Sequence, residues 1–276
     1  VAAFTELGVS KIRITGGEPT VRKDFFEVLK NIKSEHEISN LVITTNGYKL
    51  NEIAEELIAT RINGINISID SLDRNKFKEI TGQDRLPQIL EGINILQNKG
   101  FKNIKVNAVL LKNVNDSLEE FQNWERFINN NEIDFRYIEL MQTGDNLEYF
   151  KKYHTSAFVF KKYIESQDWK EISRISDAGP SINYVHSKLK GKFGIIAPYS
   201  KDFCSTCNRL RITAKGELRL CLFGNTGTNL RPYLQNQNQK DELIELILKQ
   251  LRFKKESHYL ETGNTGITPH LASIGG

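Results

Sequence analysis

Apolar and polar positions alternate with a period of two over Lys11-Ile12-Arg13-Ile14-Thr15, over Ile65, Ile67 and Ile69 against Asn66, Ser68 and Asp70, and over residues 105–111. That period marks half-buried strands. Residues 40–45 and 135–140 read as two more strands, the first ending at Asn46-Gly47. Between the strands the period lengthens to that of amphipathic helices. Residues 24–35 carry Phe25, Val28, Leu29 and Ile32 on one face, 51–60 open on Asn51 as an N-cap, 86–99 close on Gly100, and 117–130 carry Leu118, Phe121, Trp124, Phe127 and Ile128. Strand and helix thus alternate five times, which predicts an α/β fold with a parallel sheet or barrel.

Each strand also keeps its polar residues on one face: Lys11, Arg13 and Thr15; Thr44 and Asn46; Asn66, Ser68 and Asp70; Lys105 and Asn107. Both faces of a parallel sheet are normally covered, so the apolar face is expected against the helices and the polar face around a ligand-sized lumen. Segments at the C-terminal strand ends, where βα barrels gather their functional residues, are Gly16-Gly17-Glu18-Pro19, Thr44-Thr45-Asn46-Gly47, Ser68-Ile69-Asp70 and Glu139-Leu140-Met141.

The pattern changes near Asn146. Residues 155–167 and 241–251 read as helices, 192–197 and 217–222 as strands, and 169–180 as turn-rich; the end of the chain is rich in Gly and small residues. The expected division is a partial βα barrel over residues 1–145 and a C-terminal extension over 146–276. Residues 1–8 read as the last turns of a helix closing on Gly8, and the only Met is Met141, so the sequence is expected to be a fragment.

Composition narrows the chemistry. In 276 residues the net charge is +4, too mild to imply nucleic-acid binding, and no basic stripe with interleaved aromatics appears. No apolar run approaches the roughly 18 residues of a membrane span. Three cysteines, an odd number, argue against a disulfide framework and for a reducing cytoplasm. All three fall in one pattern: Cys204-x2-Cys207-x13-Cys221, with Arg209 and Arg211 directly after the pair. Thiolates on a short loop suit zinc or an iron–sulfur cluster, and three ligands leave a position open for a substrate. No ligand pair is evident among His36, His154, His186, His258 and His270, which read as surface or loop residues.

Taken together, Gly16-Gly17-Glu18-Pro19 after a strand, Thr-Thr-Asn-Gly after the next, Ser-x-Asp after the third, Cys-x2-Cys-x13-Cys and a terminal Gly275-Gly276 resemble the radical S-adenosylmethionine enzymes that cyclise GTP in molybdenum cofactor biosynthesis, over essentially the whole chain. The resemblance implies an incomplete (βα)6 TIM-like barrel, here without its first strand, followed by a cluster-binding extension. It implies a radical made from S-adenosylmethionine at a first [4Fe–4S] cluster, hydrogen abstraction from the GTP ribose, and (8S)-3′,8-cyclo-7,8-dihydroguanosine 5′-triphosphate as product. By position, Gly17, Ser68 and Met141 match contacts to S-adenosylmethionine. Arg13, Thr44, Lys105, Arg209 and Arg211 match contacts to GTP, with Lys11 and Arg136 as further candidates for the triphosphate. Cys204, Cys207 and Cys221 match the ligands of a second [4Fe–4S] cluster whose open iron takes the guanine.

The partners so implied are GTP, S-adenosylmethionine and an electron donor; a homodimer is compatible, whereas nucleic acid and membrane are not expected. The chain departs from the family in lacking the Cys-x3-Cys-x2-Cys motif of the first cluster and is therefore expected to be inactive alone. It also departs at His270-Leu271-Ala272-Ser273-Ile274, ahead of the Gly pair that enters the family's active site. Two other readings stand at this point: a radical enzyme with an auxiliary cluster acting on another substrate such as a peptide, and a non-catalytic zinc protein.

Overall fold

The computed structural model describes residues 1–34, 38–173, 179–200, 203–205, 207–224 and 226–260, together with 263, 265, 266, 268, 270 and 271. His36 and the Gly275-Gly276 terminus lie outside these described residues.

Five βα units open the chain. Helix α1 (Ala2–Glu6) leads to β1 (Lys11–Ile14), α2 (Phe25–Ser34), β2 (Asn40–Thr45), α3 (Leu50–Ala59) and β3 (Gly64–Ser68). Next come α4 (Arg74–Thr81), α5 (Leu86–Asn98), β4 (Ile104–Leu110), α6 (Leu118–Asn131) and β5 (Asp134–Glu139). Strands β1 to β5 pair in sequence order and all parallel. After α7 (Leu147–Tyr153) and α8 (Lys161–Ser166), β6 (Trp169–Ile172), β7 (Ile182–His186) and β8 (Phe193–Ile196) extend the same sheet. Strand β8 joins β5 in parallel, and β7 and β6 follow antiparallel, so the order is β1-β2-β3-β4-β5-β8-β7-β6. The segment after residue 145 therefore supplies three strands of the main sheet.

Two details depart from the sequence reading. The stretch 169–180, expected as turns, contains β6: with four residues, of which only Trp169 is buried, it is too short to display a period. Helix α3 starts one residue early and its N-cap position is Lys49, which makes no side-chain cap; Asn51 instead donates to Glu91 Oε2 on α5 at 3.0 Å.

The strands' apolar face carries the core. Leu41, Ile43, Ile67, Val106, Ala108, Phe135, Tyr137 and Ile195 are fully buried beneath the helices. Trp124 of α6 stacks on Phe135 with ring centroids 4.0 Å apart, and the Tyr137 hydroxyl donates to the Asn115 carbonyl at 3.1 Å, satisfying its one polar atom inside the core.

A second, smaller core holds the remainder. Strands β9 (Arg211–Ile212), β10 (Glu217–Arg219) and β11 (Thr228–Asn229) form a separate antiparallel sheet. Leu218 and Leu230 from it bury against Leu243 and Ile247 of α9 (Lys240–Leu251) and against Ala3 of α1. This unit fixes both the chain around the cysteines and the start of the chain. No helix among the described residues is long and apolar enough to cross a membrane.

Candidate functional site

Register decides which polar residues meet. Thr44 lies opposite Asn66, Asn66 opposite Lys105, and Lys105 opposite Asp134. One pleat further, Ser68 lies opposite Asn107, Asn107 opposite Arg136, and Arg136 opposite Gly194. Parallel partners share a face, so two polar rows run across four strands on the side away from the core. Within them Asn66 Nδ2 donates to Thr44 Oγ1 at 3.2 Å, and Lys105 Nζ stands 3.4 Å from the Asp134 carboxylate.

The cations on this face form one electrostatic group. Burial, then the charges of Arg136, Arg209 and Arg211, pull the Arg13 guanidinium down to about 10. Arg13 is nonetheless exposed to solvent, as a side chain projecting into an open concavity is. Arg211 is likewise drawn down to about 10, by burial and then by Arg209, with Cys221 and Cys207 acting in the opposite direction. Burial and Arg136 lower Lys105, Asp134 partly offsets this, and Lys11 adds to the fall. Burial lowers Arg136 as well, and its Nε is buried without a hydrogen-bond partner. All these guanidinium groups stay protonated at neutral pH. A set of like charges held together in a protein concavity suits a polyanion. Of the expected substrate residues, the structure thus brings Arg13, Lys105, Arg209 and Arg211 together and adds Lys11 and Arg136; Thr44 stands in the adjoining polar row.

The cofactor candidates occupy the C-terminal strand ends. Glu18 ties the first two motifs together: its Oε1 accepts from Thr45 Oγ1 at 2.7 Å and its Oε2 from the Asn46 N–H at 2.6 Å. Gly16 adopts φ +141, a conformation side chains rarely take, and a Cβ at Gly16 or Gly17 would meet open space, leaving both backbones accessible to a ligand. Ser68 is exposed at the end of β3. Met141 lines a cavity of about 200 Å³ with Val109, Ile138, Thr143, Asn146 and His270. Beside Ser68, burial pushes the Asp70 carboxyl up to about 6, against the pull of the Val109 N–H it accepts.

The three cysteines converge beyond the cationic face. All are free thiols, partly buried. Burial holds Cys204 above the usual thiol range, helped by Cys221 and Cys207 and opposed by the His258 N–H and the Ser257 hydroxyl. At Cys207 burial acts upward, but the N–H and charge of Arg209 together with the Lys254 ammonium outweigh it, and the net shift is downward. Among the described residues no group of three His, Cys, Asp or Glu side chains is set to hold a single metal ion. Cys204 senses both Cys221 and Cys207, so the three thiols share one neighbourhood.

Two residues here escaped the sequence reading. Lys254 Nζ reaches Cys207 Sγ at 3.9 Å. His258, read from sequence as surface or loop, is only 7% exposed; its ring lies against Phe203 and Phe223, and its Nδ1 accepts from the Leu260 N–H at 3.0 Å. A lysine in a charged stretch and a lone histidine carry no spacing signal.

The radical SAM superfamily model matches residues 1–125, and the Molybdenum Cofactor Synthesis C model matches 133–260. A GTP 3′,8-cyclase of Stenotrophomonas maltophilia is 47% identical over 276 residues, covering 100% of this chain and 84% of that protein. A GTP 3′,8-cyclase of Vibrio cholerae is 44% identical over 277 residues, covering 100% and 82%. Among solved structures, Streptococcus suis SuiB bound to S-adenosylmethionine superposes with a TM-score of 0.59 at 17% identity, over 95% of this chain and 58% of that one, a likeness of fold alone. With relatives of that name at 44–47% identity along its entire length, this chain belongs to the GTP 3′,8-cyclase family of radical S-adenosylmethionine enzymes.

Proposed function

We propose that this chain supplies the substrate side of GTP 3′,8-cyclisation, the conversion of GTP to (8S)-3′,8-cyclo-7,8-dihydroguanosine 5′-triphosphate early in molybdenum cofactor biosynthesis. The observation that carries the reading is the convergence of Arg13, Lys105, Arg136, Arg209 and Arg211 on one concavity, with the cysteine trio at its edge. Arg13, Lys105 and Arg136 bind the triphosphate, since guanidinium and ammonium groups give charge-assisted contacts to phosphate oxygens. Thr44, hydrogen-bonded to Asn66, stands beside them to orient the nucleotide. Arg209 and Arg211 hold the opposite side of the substrate, next to the thiols.

Cys204, Cys207 and Cys221 would hold a [4Fe–4S] cluster, which supplies a Lewis-acidic iron for the purine. The donor set fits: three thiols, with Lys254 and Arg209 charges favouring the thiolate at Cys207. S-adenosylmethionine lies along Gly17, Ser68 and Met141, at the open ends of the curved sheet, which is read as an incomplete barrel. The fit to the radical-generating cluster is different. Every cysteine of the chain is already placed at 204, 207 and 221, so residues 1–276 hold no second cluster of this kind. Alone, residues 1–276 bind GTP without turning it over. In the complete reaction an external electron donor is required.

Anaerobic reconstitution followed by GTP titration tests this. Wild-type chain should contain iron and sulfide for one [4Fe–4S] cluster and bind GTP, and Arg211→Met should keep the cluster while binding GTP at least about tenfold more weakly, a loss of about 1.4 kcal/mol. Zinc without acid-labile sulfide, or unchanged affinity in the arginine variant, would reject it.

A further inference from the structure

We propose that the segment 254–258 is the outer shell of the cysteine site and that Lys254 is its positioning residue, setting both the spacing of the two cysteine arms and the reduction potential of the group they hold. This rests on the cluster assignment above.

The geometry is specific. Lys254 Nζ donates to the Arg209 carbonyl at 2.9 Å and to the Leu220 carbonyl at 2.7 Å, and lies 3.9 Å from Cys207 Sγ. Arg209 is two residues beyond Cys207, and Leu220 immediately precedes Cys221. One ammonium therefore bridges the two stretches of chain that carry the thiols, and its three protons have three acceptors. It is held from behind. The backbone turn off α9 continues through Phe253 N–H to the Gln250 carbonyl and Lys254 N–H to the Leu251 carbonyl, and α9 is anchored by Leu243 and Ile247 in the second core. Three and four residues further on, Ser257 and His258 turn a hydroxyl and a backbone N–H towards Cys204. The five-residue segment thus serves both members of the Cys204–Cys207 pair.

A lysine that merely clipped two carbonyls would not need to reach sulfur. Hydrogen bonds and positive charge at ligating sulfurs stabilise the reduced, more negative state of an iron–sulfur group, so they raise its potential. Removing the charge while keeping a donor for the carbonyls separates the two roles, and Lys254→Gln does this.

The full chain, wild type and variants, is reconstituted anaerobically, assayed for iron and sulfide, and titrated redox-potentiometrically by electron paramagnetic resonance. Lys254→Gln is expected to shift the potential to more negative values, with an altered signal of the reduced cluster, and Lys254→Arg to restore the wild-type potential. A wild-type potential in a fully loaded Lys254→Gln chain overturns the proposal and leaves the cluster assignment standing. Wild-type chain that assembles no cluster overturns both. Should Lys254→Gln hold too little cluster to titrate, Ser257→Ala, which removes one hydroxyl from Cys204, carries the test: a smaller shift in the same direction supports the shell, and no shift overturns it.

Discussion

Arg13 on β1 and Arg136 on β5 stand close enough for the charge of Arg136 to be the largest electrostatic influence lowering Arg13. Three strands separate them in the sheet. At about 4.8 Å per strand, a flat sheet would set the two backbones about 19 Å apart, well beyond the roughly 10 Å over which 0.1 M salt leaves charges in contact. Curvature of the sheet and the reach of the two long side chains together close that gap, and the same curvature makes a concavity of the polar face. The guanidinium groups repel one another in the free chain, and an anion between them removes that cost.

Arg136→Met follows directly. It relieves repulsion on Arg13 and Lys105, while Asp134 keeps Lys105 as its partner at 3.4 Å. The ligand-free variant should be more stable than wild type, by about 1 kcal/mol in urea denaturation, and should bind GTP at least about tenfold more weakly. Opposite signs in the two measurements mark a cluster kept for binding. A variant that loses both stability and affinity would point to a purely structural arginine.

Glu18→Gln tests the junction of the two motifs. The wild-type carboxylate accepts from Thr45 Oγ1 and from the Asn46 N–H, as well as from the Thr20 N–H at 3.1 Å. An amide replaces one acceptor with a donor, so a donor faces a donor in one of these contacts. The expected loss is about 1–3 kcal/mol, measured by denaturation, with weaker binding of S-adenosylmethionine because the Gly16-Gly17 backbone loses its brace. Unchanged hydrogen exchange at Asn46 in this variant would refute the contact.

Much of this arrangement was legible in the chain itself. The alternation that places Arg13, Thr44, Asn66 and Lys105 on one face needs only a period of two, and the parallel register then sets them in rows. The polar face was thus readable one strand at a time. The weight of Arg136 comes from curvature, which no local pattern records. The pairing of β8 with β5 was hidden for a similar reason: more than fifty residues separate Glu139 from Phe193, and only the strand register shows that they lie in one sheet. Lys254 and His258 reach the cysteines through α9 and the second core, so their role is set by packing between segments distant in sequence.

Asp70 gives a pH signature. Its folded carboxyl is raised to about 6 by burial from an ordinary 3.8, and Tyr149 nearby is pushed up by burial and then by the charges of Tyr153 and Asp70. A raised carboxyl favours the folded state when protonated: its contribution is complete below about 4 and is lost as the pH rises through about 6. Asp70→Asn removes this dependence and keeps an oxygen for the Val109 N–H. Between pH 7.5 and 4.5, wild type should therefore gain about 2 kcal/mol relative to Asp70→Asn, read from denaturation midpoints at each pH. Parallel pH profiles for the two proteins would show that Asp70 titrates normally.

Thr268 tests whether the last described residues brace the site. Its hydroxyl donates to the Leu222 carbonyl at 2.7 Å, next to Cys221, and its carbonyl accepts from the Gly144 N–H at 3.1 Å, three residues after Met141. Thr268 is only 1% exposed. Gly266 makes this path possible: it adopts φ +62, and a Cβ there would fall 2.2 Å from the Phe223 carbonyl oxygen. One residue thus joins the loop carrying a proposed cluster ligand to the loop carrying a proposed cofactor contact. Thr268→Val keeps the volume and the backbone bond to Gly144 but leaves the Leu222 carbonyl unpaired, at a cost of about 1–3 kcal/mol. Because that cost falls between two loops rather than within the main core, circular dichroism should be unchanged while limited proteolysis near the C-terminal end accelerates. Iron and sulfide per chain should fall, since Cys221 loses its brace. If the variant retains full cluster content and wild-type protease resistance, Thr268 fills space without bracing either loop.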